Sequence, residues 1–270
     1  MDPQPPSEVS ILDAIVRDKR DEVARRKTAT PRSSLERACA TLAPARDFDA
    51  ALRPAPGHVA LIAEVKKASP SRGTLAPDRP WDPVGLARTY ADNGAAAISV
   101  LTDEKYFQGR LELLADIRVA VRVPLLRKDF TIDEYQLWES RAAGADAILL
   151  IVAILEPTLL RDLLAAAKGL GLGVLVEAHT AAEVDVALGA GATIVGINNR
   201  DLRTFETRLE TTLALLPAIP PGITVVSESG FAVADDVRRI VAAGAHAVLV
   251  GEGLVRAADT GAKVRELALR

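Results

Sequence analysis

With 270 residues the chain can form one large domain or two ordinary ones, and at 49% hydrophobic it can bury a sizeable core. A formal net charge of −3 and only 4% aromatic residues provide neither a basic field nor a stacking surface, which excludes nucleic acid and anionic membrane as general partners. The single cysteine, Cys39, has no internal disulfide partner and reads as a small, half-buried apolar residue.

The first ten residues, MDPQPPSEVS, carry two acids and three prolines where a signal peptide needs a basic start and an apolar core. A cytoplasmic location is expected. Ser10 with Asp13, and Ser33 with Glu36, have the capping-box spacing and predict two helices, separated by Thr30-Pro31. Arg46–Arg53 predicts a third, short helix before Pro54-Ala-Pro-Gly57. Residues 1–57 are too few to bury a core of their own, so they are expected to form a helical extension packed on residues 58–270, one domain overall.

From His58 onward the pattern changes. Eight strands are predicted: His58–Lys66, Asn93–Thr102, Val123–Asp129, Ala143–Ala153, Gly171–His179, Ala190–Asn199, Ile223–Ser229 and Ala243–Gly253. Most start on a glycine suited to closing a helix and continue in an apolar run suited to a strand buried on both faces. The longest such run, Ala147–Leu155, has nine residues and is too short to span a bilayer. Helix-like spacing fills Thr131–Gly144, Glu156–Gly169, Ala181–Gly191 and Val233–Gly244. Strand alternating with helix predicts the α/β class, as a (β/α)8 TIM barrel. An open doubly wound sheet competes, but it wants G-x-G-x-x-G after its first strand, where this chain has KKASPSRG.

Barrels of this kind carry chemistry at the C-terminal ends of their strands. The first strand ends in Glu64 and Lys66, which alternation points the same way, and then runs into Ser69-Pro70-Ser71. The third ends Arg127-Lys128-Asp129-Phe130, the fifth in Glu177 and His179, the sixth in Asn198-Asn199-Arg200-Asp201. Lys67 and Arg127 are read as reaching solvent. Lys66, Lys128 and Glu177 are expected to converge on one pocket with Glu64, two ammoniums and two carboxylates suited to acid–base work on an anionic substrate. The seventh and eighth strands end Ser227-Glu228-Ser229-Gly230 and Gly251-Glu252-Gly253, which fits a phosphate cradle built from backbone N–H groups. There Glu252 would contribute its N–H, with its carboxylate turned away. His58, His179 and His246 lack metal-ligand spacing, so no metal is expected, and no serine sits in G-x-S-x-G.

In this order, AEVKKASPSRG, LLRKDF, LVEAH, INNRDL, SESGF and VLVGEGLVR closely resemble the indole-3-glycerol phosphate synthases of tryptophan biosynthesis, a likeness running from Ile11 to Arg256. YFQGR (Tyr106–Arg110) is similar to that family's loop after strand two, with Arg110 in place of serine. The resemblance implies conversion of 1-(2-carboxyphenylamino)-1-deoxyribulose 5-phosphate to indole-3-glycerol phosphate, with loss of CO2 and water. It further implies Lys128 as general acid, Lys66 facing the substrate carboxylate, Glu177 as the acid–base carboxylate, Glu64 holding the lysines, and Asn198 orienting the substrate. Ser69, Phe107, Phe130, Arg200 and Ser229 are implied as substrate contacts, and Ser229, Gly230, Gly251 and Glu252 as the phosphate site. No cofactor is expected, and neither is any partner beyond the phosphorylated small molecule; a monomer is expected, with the extension roofing the pocket. The rivals are another phosphate-binding barrel such as phosphoribosylanthranilate isomerase, a Schiff-base aldolase, and a barrel that binds without turnover.

Overall fold

Eight short runs of aliphatic and β-branched residues form parallel strands that close into a barrel: β1 (Ala60–Val65), β2 (Ala97–Leu101), β3 (Leu125–Lys128), β4 (Ala147–Ile151), β5 (Gly173–Ala178), β6 (Ile194–Asn198), β7 (Thr224–Glu228) and β8 (Ala247–Val250). The computed structural model describes residues 11–55, 58–201 and 204–270. Closure is made at β1, where Ile62 stands opposite Ala97 on one side and Leu249 on the other. All eight predicted strands are present, trimmed at their ends. Of the four predicted helices, Pro157–Gly169, Ala181–Gly189 and Ala234–Ala242 start within a residue of expectation. The fourth starts late, at Tyr135, because the Gln136 side chain bonds the Phe130 carbonyl and the Ile132 N–H and so holds the preceding residues as a loop.

Alternation sets the two faces of the barrel. Along β1, Leu61, Ala63 and Val65 join a core shared with the surrounding helices, whereas Ala60 and Ile62 join Leu126, Leu149, Leu175, Ile194, Val226 and Leu249 inside the barrel. The N-terminal segment meets the barrel at several points. A short helix, Phe48–Ala51, is capped by Asp47, which accepts from the Ala50 N–H at 2.9 Å, and Phe48 and Leu52 are buried with the interior cluster. Helix α1 (Ile11–Ala29) buries Lys19, whose Nζ lies 2.8 Å from Glu22, 3.0 Å from Asp103 and 2.9 Å from Asp129.

Two further sequence expectations change. The capping box at Ser33 does not form: α2 (Arg32–Ala40) begins before it, with Pro31 as its N-cap, so Ser33 lies inside the first turn. Proline fixes φ and brings no N–H, which sets the helix start without a side-chain cap. Arg127 does not reach solvent. It is 1% exposed and contacts Glu139 at 2.8 Å and Asp129 at 3.0 Å, so the charge is retained in the interior by paired carboxylates. The cap at Ser10 and the Pro56-Gly57 boundary lie outside the described residues. Cys39 is half-buried, its Sγ 3.6 Å from the Trp138 carbonyl. Among the described residues no helix is long and apolar enough to cross a membrane.

Candidate active site

The C-terminal ends of the strands open into a cavity of about 700 Å³. Alternation explains which side chains reach it. Glu64 follows inward Ile62, Lys128 follows Leu126, Glu177 follows Leu175, and Glu228 follows Val226, so each continues an interior row past the last apolar layer. Lys66 and Asn198 line the same cavity, as do Ser69, Phe107, Phe130 and Arg200. Ser229, Gly230, Gly251 and Glu252 line its far side. Ile11, Leu12 and Ile15 of α1 complete the wall. After β1, Ala68–Ser69 pairs with Gly73–Thr74 as a two-stranded hairpin at the rim.

At the centre, the Lys128 Nζ donates to Glu177 Oε2 at 3.0 Å and lies 3.3 Å from Glu228 Oε2. Lys66 Nζ lies 2.8 Å from Glu64 Oε1, and the Ser99 hydroxyl donates to Glu64 Oε2 at 3.3 Å. Asn198 Nδ2 donates to Glu177 Oε1 at 3.1 Å. The cluster thus alternates cation and carboxylate across four strands. Glu228, at the end of β7, joins this cluster without having been among the expected catalytic residues. The rule that nominated Lys128 and Glu177, a polar residue two places after an inward apolar one, also nominates Glu228.

Burial and charge divide the carboxylates. Burial disfavours the ionised form of Glu177, but Lys128, His179 and the Asn198 hydrogen bond outweigh it and hold the carboxyl down to about 2. Glu228 is buried to the same degree, and its two oxygens have no hydrogen-bond partner. Burial there, with Glu177 adding repulsion, overcomes Lys128 and pushes the carboxyl up to about 8. Around neutral pH one carboxylate is therefore ionised and its neighbour protonated, with one lysine between them. Burial opposes the charge on Lys128, yet Glu177, Glu228 and Glu64 keep it protonated well beyond the ordinary lysine range. Room for Glu228 comes from Gly196 on β6, where a Cβ would stand 2.2 Å from Glu228 Oε1.

On the far side, Ser229 adopts a φ of 69°, a left-handed conformation rare without glycine. Asn199 holds it by donating to the Ser229 carbonyl at 3.0 Å and the Ser227 hydroxyl at 2.9 Å. Gly230 follows with a φ of 94°. The Glu252 carboxylate lies 3.3 Å from Arg256 and 3.6 Å from both Arg72 and Arg200, a concentration of positive charge at the rim. Arg110 pairs instead with exposed Asp116 at 3.0 Å, away from the cavity.

Residues 12–267 match the family described as indole-3-glycerol phosphate synthase. A protein of that name from Roseiflexus castenholzii is 53% identical over 267 residues, covering 96% of this chain and 98% of its own length. One from Laribacter hongkongensis is 48% identical over 260 residues, covering 95% of this chain and 98% of its own length. Among solved structures, a thiamine phosphate pyrophosphorylase from Pyrococcus furiosus superposes with a TM-score of 0.59 at 19% identity, over 77% of this chain and 93% of that one, which is a likeness of fold alone.

Proposed function

The chain belongs to the indole-3-glycerol phosphate synthase family, and we propose that the cluster around Lys128 carries out the family's reaction by lysine and glutamate acid–base catalysis. The reaction closes the ring of 1-(2-carboxyphenylamino)-1-deoxyribulose 5-phosphate, then expels CO2 and water to give indole-3-glycerol phosphate. The enzyme is a carbon–carbon lyase of tryptophan biosynthesis.

The observation that carries the mechanism is the ammonium of Lys128 held in the cavity between two buried carboxyl groups, at 3.0 Å from Glu177 and 3.3 Å from Glu228. Ring closure needs a proton on the ketone oxygen as the aromatic carbon attacks, and Lys128 supplies it. Lys66, fixed by Glu64, neutralises the substrate carboxylate until CO2 leaves. Dehydration needs an acid for the departing hydroxyl and a base for the methylene proton beside nitrogen, and Glu177 takes part in this exchange. The anilino nitrogen supplies the electron push, so no step calls on a cofactor.

Binding follows the same geometry. Phe107 and Phe130, with ring centroids 6.2 Å apart, offer an apolar wall for the substrate's aromatic ring. Asn198, Arg200 and Ser69 orient the sugar chain, and the phosphate is received at Ser229, Gly230, Gly251 and Glu252, by the Ser229 side chain, whose own N–H is taken by the Leu249 carbonyl, and by backbone N–H groups of the other three. Helix α1 roofs the pocket through Ile11, Leu12 and Ile15, and the ion pairs of Lys19 support the reading of the N-terminal helices and the barrel as one domain. We take the enzyme to be a cytoplasmic monomer, a state that sedimentation analysis checks directly.

The test is an indole fluorescence time course with the carboxyphenylamino-deoxyribulose phosphate, wild type beside Lys128→Ala. The variant is expected to lose ~10²–10⁴-fold in kcat, the range of a positioned acid, while keeping its circular dichroism spectrum. Near-normal turnover by the folded variant removes Lys128 as the acid.

A further inference from the structure

The reaction consumes a proton. The substrate's ring carboxylate leaves as neutral CO2 and its hydroxyl as neutral water, so charge balances only if one proton enters from outside the substrate in each turnover. Two protons are delivered, by Lys128 to the ketone oxygen and by Glu177 to the departing hydroxyl, and one is recovered from the methylene carbon by Lys128, which the first transfer left neutral. Glu177, ionised by Lys128 and Asn198, has no proton of its own to give near neutral pH. While substrate fills the cavity mouth, a store inside the protein serves this need.

His179 stands behind Glu177. It does not line the cavity, yet its Nε2 lies 3.5 Å from Glu177 Oε1. That nitrogen is buried and has no hydrogen-bond partner. On the other side of the ring, Nδ1 lies 3.3 Å from Glu183 Oε2, and the same oxygen accepts the His179 backbone N–H at 2.7 Å. Glu183 is itself fixed at the start of helix Ala181–Gly189, where its N–H donates to the Thr180 hydroxyl at 3.2 Å. The imidazole thus sits between two carboxylates, one in the centre and one near the surface: the side chains of Glu177, His179 and Glu183 are 2%, 12% and 22% exposed.

We propose that His179 is a positioning residue whose imidazolium stores the proton consumed in each turnover and passes it to the reaction through Glu177. The proposal rests on the reading of Glu177 as an acid–base group. The Nε2–H bond breaks, its electron pair stays on nitrogen, and Glu177 Oε1 gains the proton and donates it to the departing hydroxyl. The other ring proton stays on Nδ1, donated to Glu183 Oε2 throughout. The imidazole is protonated again from water by way of Glu177 once product has left. The charged groups facing this path are Glu177 at the end of β5 and Glu183 from the following helix, which favour the stored cation, and Lys128 from β3, which faces Glu177 and keeps it ionised; Glu228 from β7 is protonated near neutral pH and adds to the stored cation only as it ionises. Burial alone lowers the proton affinity of the ring, and these carboxylates outweigh it and raise it above the ordinary histidine value.

The test is the pH profile of kcat and of KM for wild type, His179→Gln, Glu183→Gln, Glu177→Gln and Glu228→Gln. Wild type should lose kcat as pH rises through the imidazolium's titration. His179→Gln should lower kcat by ~10²-fold near neutral pH, the low end for a positioned proton donor, leave KM unchanged and abolish that alkaline limb. Glu183→Gln should move the limb to lower pH without removing it. A purely structural role predicts an unchanged limb in both variants, and that result overturns the proposal, as does a limb lost in Glu228→Gln and kept in His179→Gln. Wild-type kcat in Glu177→Gln would instead overturn the reading of Glu177 on which the proposal rests.

Discussion

Glu177 and Glu228 are chemically identical and equally buried, and what separates them is their neighbours. Glu177 accepts from Asn198 and Lys128, so its ionised form has partners on both oxygens. Glu228 lies near Lys128 without hydrogen bonds, so protonation relieves its burial. This has a consequence for stability. The folded carboxyl of Glu228 is raised from 4.5 to about 8, so its contribution to stability is fully present below the unfolded value and is lost as pH rises through about 8. Glu228→Gln, which resembles the protonated form, should therefore gain in melting temperature relative to wild type between pH 6 and pH 9. A difference that stays constant over that range would contradict the assignment. In the same centre, Glu177→Gln should reduce kcat by ~10²-fold or more with a smaller change in KM, read from steady-state kinetics.

At the scale of elements, the end of β3 is held from outside as firmly as from within. Lys128 faces the cavity, while its neighbours Arg127 and Asp129 face outward into a buried ionic network with Glu139, Thr102 and Lys19. Arg26 of α1 extends the network by pairing with Glu139 at 3.1 Å. Helix α1 therefore grips the strand that carries the proposed acid. Removing one member of a buried ion pair typically costs about 3–5 kcal/mol, because the charge left behind is desolvated without a partner. Lys19→Met strands Asp103 and shifts the load on Asp129 to Arg127, and should lower stability by about that amount. Chemical denaturation checks this, and a loss under ~1 kcal/mol, the range of a surface pair, would show that the network holds little. The burial of Arg127 is not legible from its strand position. A strand-end arginine ordinarily reaches water, and nothing local in the sequence reveals that helix Tyr135–Ala142 brings Glu139 over it.

Over the whole molecule, one architecture divides the labour of the chain. Apolar layers fill the barrel below the strand ends, and the polar rows that continue them gather in one cavity, with helix α1 in its wall. The fold alone does not settle the chemistry: a Pyrococcus furiosus barrel superposes at a TM-score of 0.59 with 19% identity, while the family is carried by the strand-end motifs.

Those motifs were legible in the sequence for a physical reason. A parallel strand buried on both faces must be a short aliphatic run, the helix before it commonly closes on glycine, and side chains alternate, so the strands and the inward rows that end in Lys128 and Glu177 follow from local rules. The charge state of each group does not follow from such rules. Which glutamate keeps its proton, which arginine is buried and where the Glu252 carboxylate points depend on side chains brought together from distant parts of the chain. Lys128 meets Glu177 and Glu228, and Arg127 meets Glu139, only because the barrel closes and the helices pack against it. The sequence by itself determined the barrel and the chemical types at its mouth; the tertiary structure decided their pairing, because electrostatic energy depends on distance and burial, and neither is written in the order of residues.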